Sequence, residues 1–315
     1  MNSFSLAFSV VFPLFLMMAL GYGLRKIGLF TDAFLRQLNR VCFQVFLPLI
    51  LFVNVYHSDF TTDFNPALVG FALLSTVVFF VLLLVSVPRF ETDDTRRSVL
   101  IQGMFRSNYV LFGLPIATSL FGEAHTGTTA ILIAFVIPLF NVLAVFALEN
   151  FKPGKVGFKS VLKSIVTNPL ILGAVAACFF IVSGIRLPDI LDRTVGDIAQ
   201  IATPLALIAL GGSFSFRSLK GNGKALICAV GGKLVVIPLA GIALSLALGY
   251  RGIELGALLA MFASPTAVSS FTMAQQMDAD DELAGQIVVT TSLCSVVTIF
   301  IWITLLGEAG MLSTY

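Results

Sequence analysis

Ten stretches of roughly 20 mostly apolar residues follow one another along this chain, at about 4–24, 38–56, 66–88, 98–121, 127–148, 163–183, 190–212, 224–248, 253–276 and 284–306. Such a stretch is long enough to cross a bilayer core of roughly 30 Å as a helix. Lipid offers no partner to a backbone N–H or C=O, so helices that satisfy their own backbone are the natural spanning form. Composition agrees, with 57% of the 315 residues hydrophobic and 11% charged, against about 25% charged in an ordinary soluble domain. The expected fold class is an all-α integral membrane protein with ten transmembrane helices in the lipid bilayer. Nucleic acid is not an expected partner. The first stretch has no basic segment ahead of it and no small-residue cleavage site, and Arg25 and Lys26 follow it. It reads as a retained span, not a signal peptide. Cys42, Cys178, Cys228 and Cys294 lie in apolar stretches without paired spacing, which predicts small core residues and neither disulfides nor a metal site.

Sorting Lys and Arg by loop assigns a sidedness. Loops after the odd-numbered spans hold fourteen of them, and the opposite side holds Arg186, Arg193 and Arg251. Basic loops stay in the cytoplasm, so both termini are expected outside the cell membrane.

Sliding the chain along itself by 156 residues places Pro13 on Pro169, Gly28 on Gly184, Gln44 on Gln200 and Pro48 on Pro204. Further on, Met104-Phe105-x-Ser107 falls on Met261-Phe262-x-Ser264. The expectation is two five-helix repeats, 1–149 and 163–315, joined by a short basic cytoplasmic linker at 150–162. An odd number of spans per repeat inverts the second copy, a pattern typical of secondary transporters.

Span 4 carries Arg106, Ser107, Asn108, Gly113 and Pro115 within ten positions, and its repeat partner, span 9, carries Ser264, Pro265 and Thr266. Proline lacks an N–H but suits the first position of a helix. Ser264-Pro265 therefore reads as an N-cap and first residue, and Gly113-Leu114-Pro115 as an unwound link into a second half-helix. Irregular backbone at this depth must be buried in protein or line a hydrated cavity. Two half-helix N-termini would then face each other, each with free N–H groups and about half a positive charge, as an anion site. The bland alternative is a pair of simple kinks.

The run Asn108-Tyr-Val-Leu-Phe-Gly113-Leu-Pro115 resembles the N-T-L-V-x-G-x-P stretch of the auxin efflux carrier family, which includes the plant PIN-type carriers. The ten spans, the five-plus-five repeat and the two interrupted spans are similar to that family over nearly the whole chain. The resemblance implies broken, crossed helices 4 and 9, as in sodium/proton antiporters and bile-acid symporters. It implies helices 1, 2, 6 and 7 as scaffold and helices 3, 4, 5, 8, 9 and 10 as the transport domain, with scaffold-mediated homodimers. Asn108, Gly113 and Pro115 match the motif and take the role of substrate crossover. Arg106-Ser107 stands where plant members have Leu-Pro, and the long central loop of many plant members is absent. Both features fit the shorter microbial branch, associated with malate, malonate and similar acids.

Two cations lie within spans. Arg106 follows Arg96 by about 15 Å of helix rise, a depth at which a charge needs a cavity or a partner. It either pairs with a substrate carboxylate, which suits its planar fork, or snorkels to the cytosol or caps carbonyls. Lys233 either stands where a coupling Na⁺ binds in relatives, or carries a proton, or snorkels to the inner headgroups. No Asp or Glu is placed near the centre of a span, which disfavours a carboxylate Na⁺ site and leaves H⁺ the preferred coupling ion. The acidic run Asp278 to Glu282 reads as a solvated connector or part of a gate. Asn141, Gln102, Gln275, Gln276 and Tyr109 are secondary candidates, with Asn141 in need of a helix or ligand partner.

His57 and His125 fall in external loops, away from cysteine or acidic clusters, and no phosphate-binding Gly-rich loop with lysine is present. These features argue against an enzyme, a resident cofactor or an ATP-driven pump. The expected function is elevator-type transport of small organic anions, with Asn108, Ser264 and Thr266 as donors to the substrate carboxylate. A receptor or channel using the same site is the alternative.

Overall fold

The computed structural model describes residues 3–57, 64–122, 125–152, 158–215 and 221–313. Lys155 of the expected linker, and Arg217 and Lys220 of the basic loop after span 7, lie outside the described residues. Among the described residues the chain is helical apart from a single antiparallel bridge between Ser107 and Thr266.

The helix ends follow their capping residues. Helix α1 (Ser3–Lys26) closes on Arg25 and Lys26, cations suited to a helix C-terminus. Helix α2 (Asp32–Tyr56) begins where the Thr31 hydroxyl accepts the Phe34 N–H at 3.2 Å. Helix α3 (Pro66–Arg89) begins on Pro66, with the Asn65 side chain accepting from Ala67 and Leu68. The Asp93 carboxylate caps α4 (Asp94–Phe105). Then follow α5 (Tyr109–Phe121), α6 (Gly127–Asn150), α7 (Phe158–Thr167) and α8 (Pro169–Ser183). Helix α7 starts inside the stretch expected as a linker, and α8 bends 57° away from it at Asn168. The second half continues with α9 (Asp189–Ser213), α10 (Gly223–Ala247), α11 (Gly252–Ala263), α12 (Ser269–Gln276) and α13 (Asp281–Glu308).

Two of these helices carry a π turn, at Cys42–Phe46 in α2 and Gly232–Val236 in α10. Pro48 and Pro238 lie two positions past the ends of these turns. A proline cannot donate to the residue four back and crowds its carbonyl, and a π turn absorbs that mismatch without breaking the helix. The repeat-matched Gly28 and Gly184 have φ of 79° and 68°, a left-handed backbone that glycine adopts without steric cost.

Among the described residues, six helices are long and apolar enough to cross a membrane, with α7 and α8 forming a bent seventh candidate. Their outer faces are apolar: Leu172, Val175, Phe179 and Val182 of α8 are 50–88% exposed. Asn39, Gln102, Asn141 and Lys233 are buried instead. Polar inside and apolar outside is the pattern of an integral membrane protein. The cysteines correct one expectation: Cys42 is buried, but Cys178 and Cys294 are exposed on outer faces.

Helices α1 and α9 pack backbone to backbone. A Cβ on Gly21 would meet the Ile208 carbonyl oxygen at 2.0 Å, and one on Gly211 would meet that of Met18 at 2.0 Å. A Cβ on Gly173 of α8 would meet the Pro48 carbonyl oxygen of α2 at 2.5 Å. Small residues permit such approaches between membrane helices. Helices α4, α5, α11 and α12 meet at the Ser107–Thr266 bridge, alongside α6, α10 and α13.

Candidate functional site

The chain breaks at the bridge because two extended segments exchange hydrogen bonds there. Arg106 is extended, at φ −84° and ψ 121°, as is Ser264, at φ −62° and ψ 145°. The Asn108 N–H donates to the Pro265 carbonyl at 2.7 Å. The last four carbonyls of a helix lack intrahelical partners, and the crossover supplies some. The Thr266 hydroxyl donates to the Gly103 carbonyl of α4 at 2.6 Å, and the Ser107 hydroxyl donates to the Met261 carbonyl of α11. Lys233 is 0% exposed, and its Nζ donates to Ser107 Oγ and, at 3.4 Å, to the Phe262 carbonyl. That ammonium therefore sits at the C-terminal, electronegative end of α11.

Two positions differ from the sequence reading. Ser264 is not an N-cap: it ends α11 and turns its hydroxyl back to the Ala260 carbonyl. The next helix starts only at Ser269, because Thr266 is held extended by its bridge to Ser107. Gly113 and Pro115 are not an unwound link either, since both lie inside α5. Gly113 has a packing reason: a Cβ there would meet the Tyr109 ring at 2.6 Å. Tyr109 is itself anchored by its hydroxyl, which donates to the Ala257 carbonyl at 2.9 Å.

Beside the crossover lies a cleft of about 650 Å³, counted with its open mouth. Arg106, Ser107, Asn108 and the first turn of α5 form one wall, with Asn141 of α6 beside them. Ala267, Val268 and Ser269, which lead into α12, form a second. The facing wall is largely apolar, with Leu47, Leu51, Leu170 and Ala206 alongside Asn54 and Thr203. Among the described residues, the lining carries the Arg106 cation and no carboxylate. Arg106 is 3% exposed, and its Nη2 donates to Asn141 Oδ1 at 2.6 Å and Ser269 Oγ at 2.8 Å. Its Nη1 lies 2.7 Å from the Met273 sulfur. Neither Arg106 nor Lys233 snorkels to a membrane surface. Asn108 Nδ2 is a buried donor without a partner.

The cleft thus gathers Arg106, Ser107, Asn108 and Asn141 from the expected set. Ser264, Pro265 and Thr266 belong to the crossover itself, and Gly113 and Pro115 lie within α5. Lys233 approaches Ser107 from the far side, where both border a second, smaller hollow of about 230 Å³. The sequence reading missed Ser269, Asn54 and Thr203. Ser269 was legible as the polar pair Ser269-Ser270 after the break, had the bridge been foreseen. Gln102 donates to the Ser270 carbonyl at 3.2 Å, and Gln275 lies at the far end of α12. Among the described residues no group of three or more His, Cys, Asp or Glu comes together as a metal cage.

Apolar outer faces around an interrupted, polar helix crossing define a membrane transporter. The chain belongs to the family described as membrane transport protein, the auxin efflux carrier family, whose model matches residues 6–157 and 155–303. An uncharacterized transporter of Methanocaldococcus jannaschii is 21% identical over 93% of this chain and 96% of its own length. A second uncharacterized transporter, from Methanothermobacter thermautotrophicus, is 22% identical over 93% and 96%. A Rhizobium meliloti protein named "Putative malonate transporter" is 27% identical over 92% of both chains. All three bear transporter names, which points away from an enzyme.

Proposed function

We propose that this protein is a secondary active or facilitative carrier of small organic anions, malonate- or malate-like carboxylates foremost, working by elevator-type alternating access. One observation carries the reading: Arg106 is 3% exposed in a cleft whose lining, among the described residues, contains no carboxylate. A buried cation without an acidic partner costs several kcal/mol or more, and a bound carboxylate offsets that cost by accepting from its planar fork. The first turn of α5 borders the same cleft, and free N–H groups at a helix start favour anions. Asn108 Nδ2 adds a donor, and Asn141 and Ser269 orient the guanidinium. The apolar facing wall accommodates the carbon skeleton, which leaves auxin-like acids within reach of the same site.

Ten spans follow when α4 with α5, α7 with α8, and α11 with α12 each count as one interrupted span. The glycine contacts of α1 with α9 and of α2 with α8 support these four as the scaffold of two inverted repeats. Helices α3 to α6 and α10 to α13 then move against it. Lys233 serves as a fixed positive charge behind Ser107, so coupling falls to H⁺ or to no ion, with Na⁺ disfavoured. The basic loops favour a topology with both termini outside the cell membrane, and in this reading the scaffold is the surface of a homodimer.

The test is electrophysiology on a solid-supported membrane with proteoliposomes, applying malonate, malate, succinate and indole-3-acetate with and without Na⁺ at two pH values. A current or labelled counterflow specific to one acid, lost in Arg106→Leu and Asn108→Ala, is the expected result. Silence in both assays with all four acids would sink the carrier reading and leave a receptor for a carboxylate.

A further inference from the structure

The Asn39 side chain is 1% exposed on α2, and its Nδ2 donates to Gln275 Oε1 at 2.7 Å. Gln275 lies in the last turn of α12, and its Nε2 donates to Asp281 Oδ2, at the start of α13, at 2.7 Å. Three helices are thereby tied in one chain of side chains. Beyond it opens a polar vestibule of about 930 Å³, counted with its open mouth and bordered by Arg25, Asp32, Arg36, Asp278 and Asp281.

The order along two separate helices places this chain between the vestibule and the cleft. On α2, Asp32 and Arg36 border the vestibule, Asn39 makes the tie, and Leu47, Leu51 and Asn54 border the cleft. Eight residues separate Asn39 from Leu47, or about 12 Å of helix. On α12 the order runs the other way along the chain: Ser269 borders the cleft, Gln275 makes the tie, and Asp278, just past the helix end, borders the vestibule. Asp278 also has a φ of 58°, the non-glycine residue at positive φ among those described, and its carboxylate meets Lys152 Nζ at 3.1 Å. Backbone strain of this kind persists only where the surroundings hold it.

We propose that the Asn39–Gln275–Asp281 hydrogen-bond chain is the gate that separates the cleft from the basic-loop side of the protein. The inference rests on the carrier reading, in which α12 moves against α2, so the Asn39–Gln275 bond must break once per cycle. The bond is strong enough to close the passage and incomplete enough to open. Asn39 Oδ1 is buried without a partner, so the closed state already carries one unsatisfied acceptor, and opening to water relieves it. The acidic run after α12 is therefore part of the gate, beyond a solvated connector.

Cys42 is a native reporter, 0% exposed and three residues past Asn39 on the same buried face as Leu35. The experiment uses the full chain in nanodiscs with Cys178, Cys228 and Cys294 changed to Ser, and follows labelling of Cys42 by a polar methanethiosulfonate. Asn39→Ala and Gln275→Ala are each expected to speed labelling about fivefold, the weight of one net hydrogen bond. The double variant is expected to add nothing further. Leu35→Ala, on the same face but outside the chain, is the packing control. Unchanged labelling in both single variants, or an equal acceleration by Leu35→Ala, overturns the gate. Malonate flux in the parent protein tests the carrier reading separately: gated labelling without flux of any organic anion retains the gate and removes the carrier.

Discussion

Ser107 and Thr266 pair backbone to backbone in one antiparallel bridge, and each sends its hydroxyl to the last turns of the helix that leads to the other. The exchange is what allows two helices to stop inside an apolar protein. Carbonyls that an unbroken helix would satisfy internally are met by the opposite segment instead. It also fixes where the next helices start, and hence which N–H groups border the cleft.

Thr266→Val keeps the shape of the side chain and removes the donor to Gly103. The buried carbonyl left behind is expected to cost about 1–3 kcal/mol, read as a lower thermal midpoint in detergent. Thr266→Ser, which retains the hydroxyl, is expected to recover most of it. A stable Thr266→Val beside a destabilised Thr266→Ser would mean that the methyl group, and not the hydroxyl, matters.

Gly113→Ala brings a methyl group to 2.6 Å from the Tyr109 ring. Overpacking of this kind is expected to cost about 1–3 kcal/mol. Combining it with Tyr109→Leu, which removes the ring, should cost less than the sum of the two single variants in a double-mutant cycle. Strict additivity would show that Gly113 is not constrained by Tyr109.

Asn141→Leu takes away the Arg106 partner at 2.6 Å. The guanidinium then loses its orientation toward the anion. The expected effect is an approximately tenfold higher half-saturation concentration, equivalent to about 1.4 kcal/mol, with a smaller change in maximal flux. A fall in maximal flux alone would place Asn141 in the conformational step instead of binding.

Asp280 gives a pH signature at the start of α13. Burial lifts its carboxyl above the ordinary 3.8, with Asp281 and Glu282 adding to the rise and the Leu283 N–H and Arg96 opposing it. The folded chain therefore holds this proton more tightly than the unfolded one. Its contribution to stability is fully present below pH 3.8 and is lost as the pH rises through the folded value. Asp280→Asn mimics the protonated form and keeps the cap that accepts from Leu283 at 2.9 Å. Its thermal midpoint is expected to equal or exceed the parent's at pH 7, and the two should converge below pH 4. A more stable parent at pH 7 would show that the ionised carboxylate is favoured in the fold.

The apolar stretches and the helix limits were legible in the residues, because lipid leaves the backbone few alternatives. The segment expected at 127–148 is the helix Gly127–Asn150, and the one at 284–306 lies within Asp281–Glu308. The interruptions were legible too, since Arg106, Ser107 and Asn108 have no place in an exposed apolar helix. Their exact positions were not. Local rules put the second break at Ser264-Pro265 with a helix starting there, and they unwound Gly113 and Pro115. The first shifted because Thr266 found a partner 159 positions away in the chain. The second did not occur because Pro115 is tolerated within α5 and Gly113 serves a side chain four residues back.

The sequence alone determined that the chain lives in a membrane, that two of its apolar segments are interrupted, and that a guanidinium lies deep within one of them. Those properties depend on composition and order, which local physics reads directly. Only the tertiary structure decided that Arg106 faces a cleft with Ser269 and Asn141, that Lys233 is buried behind Ser107, and that Asn39 reaches Gln275. Each of these depends on which helices become neighbours, and side-chain partners more than 30 residues apart leave no periodic trace in the chain.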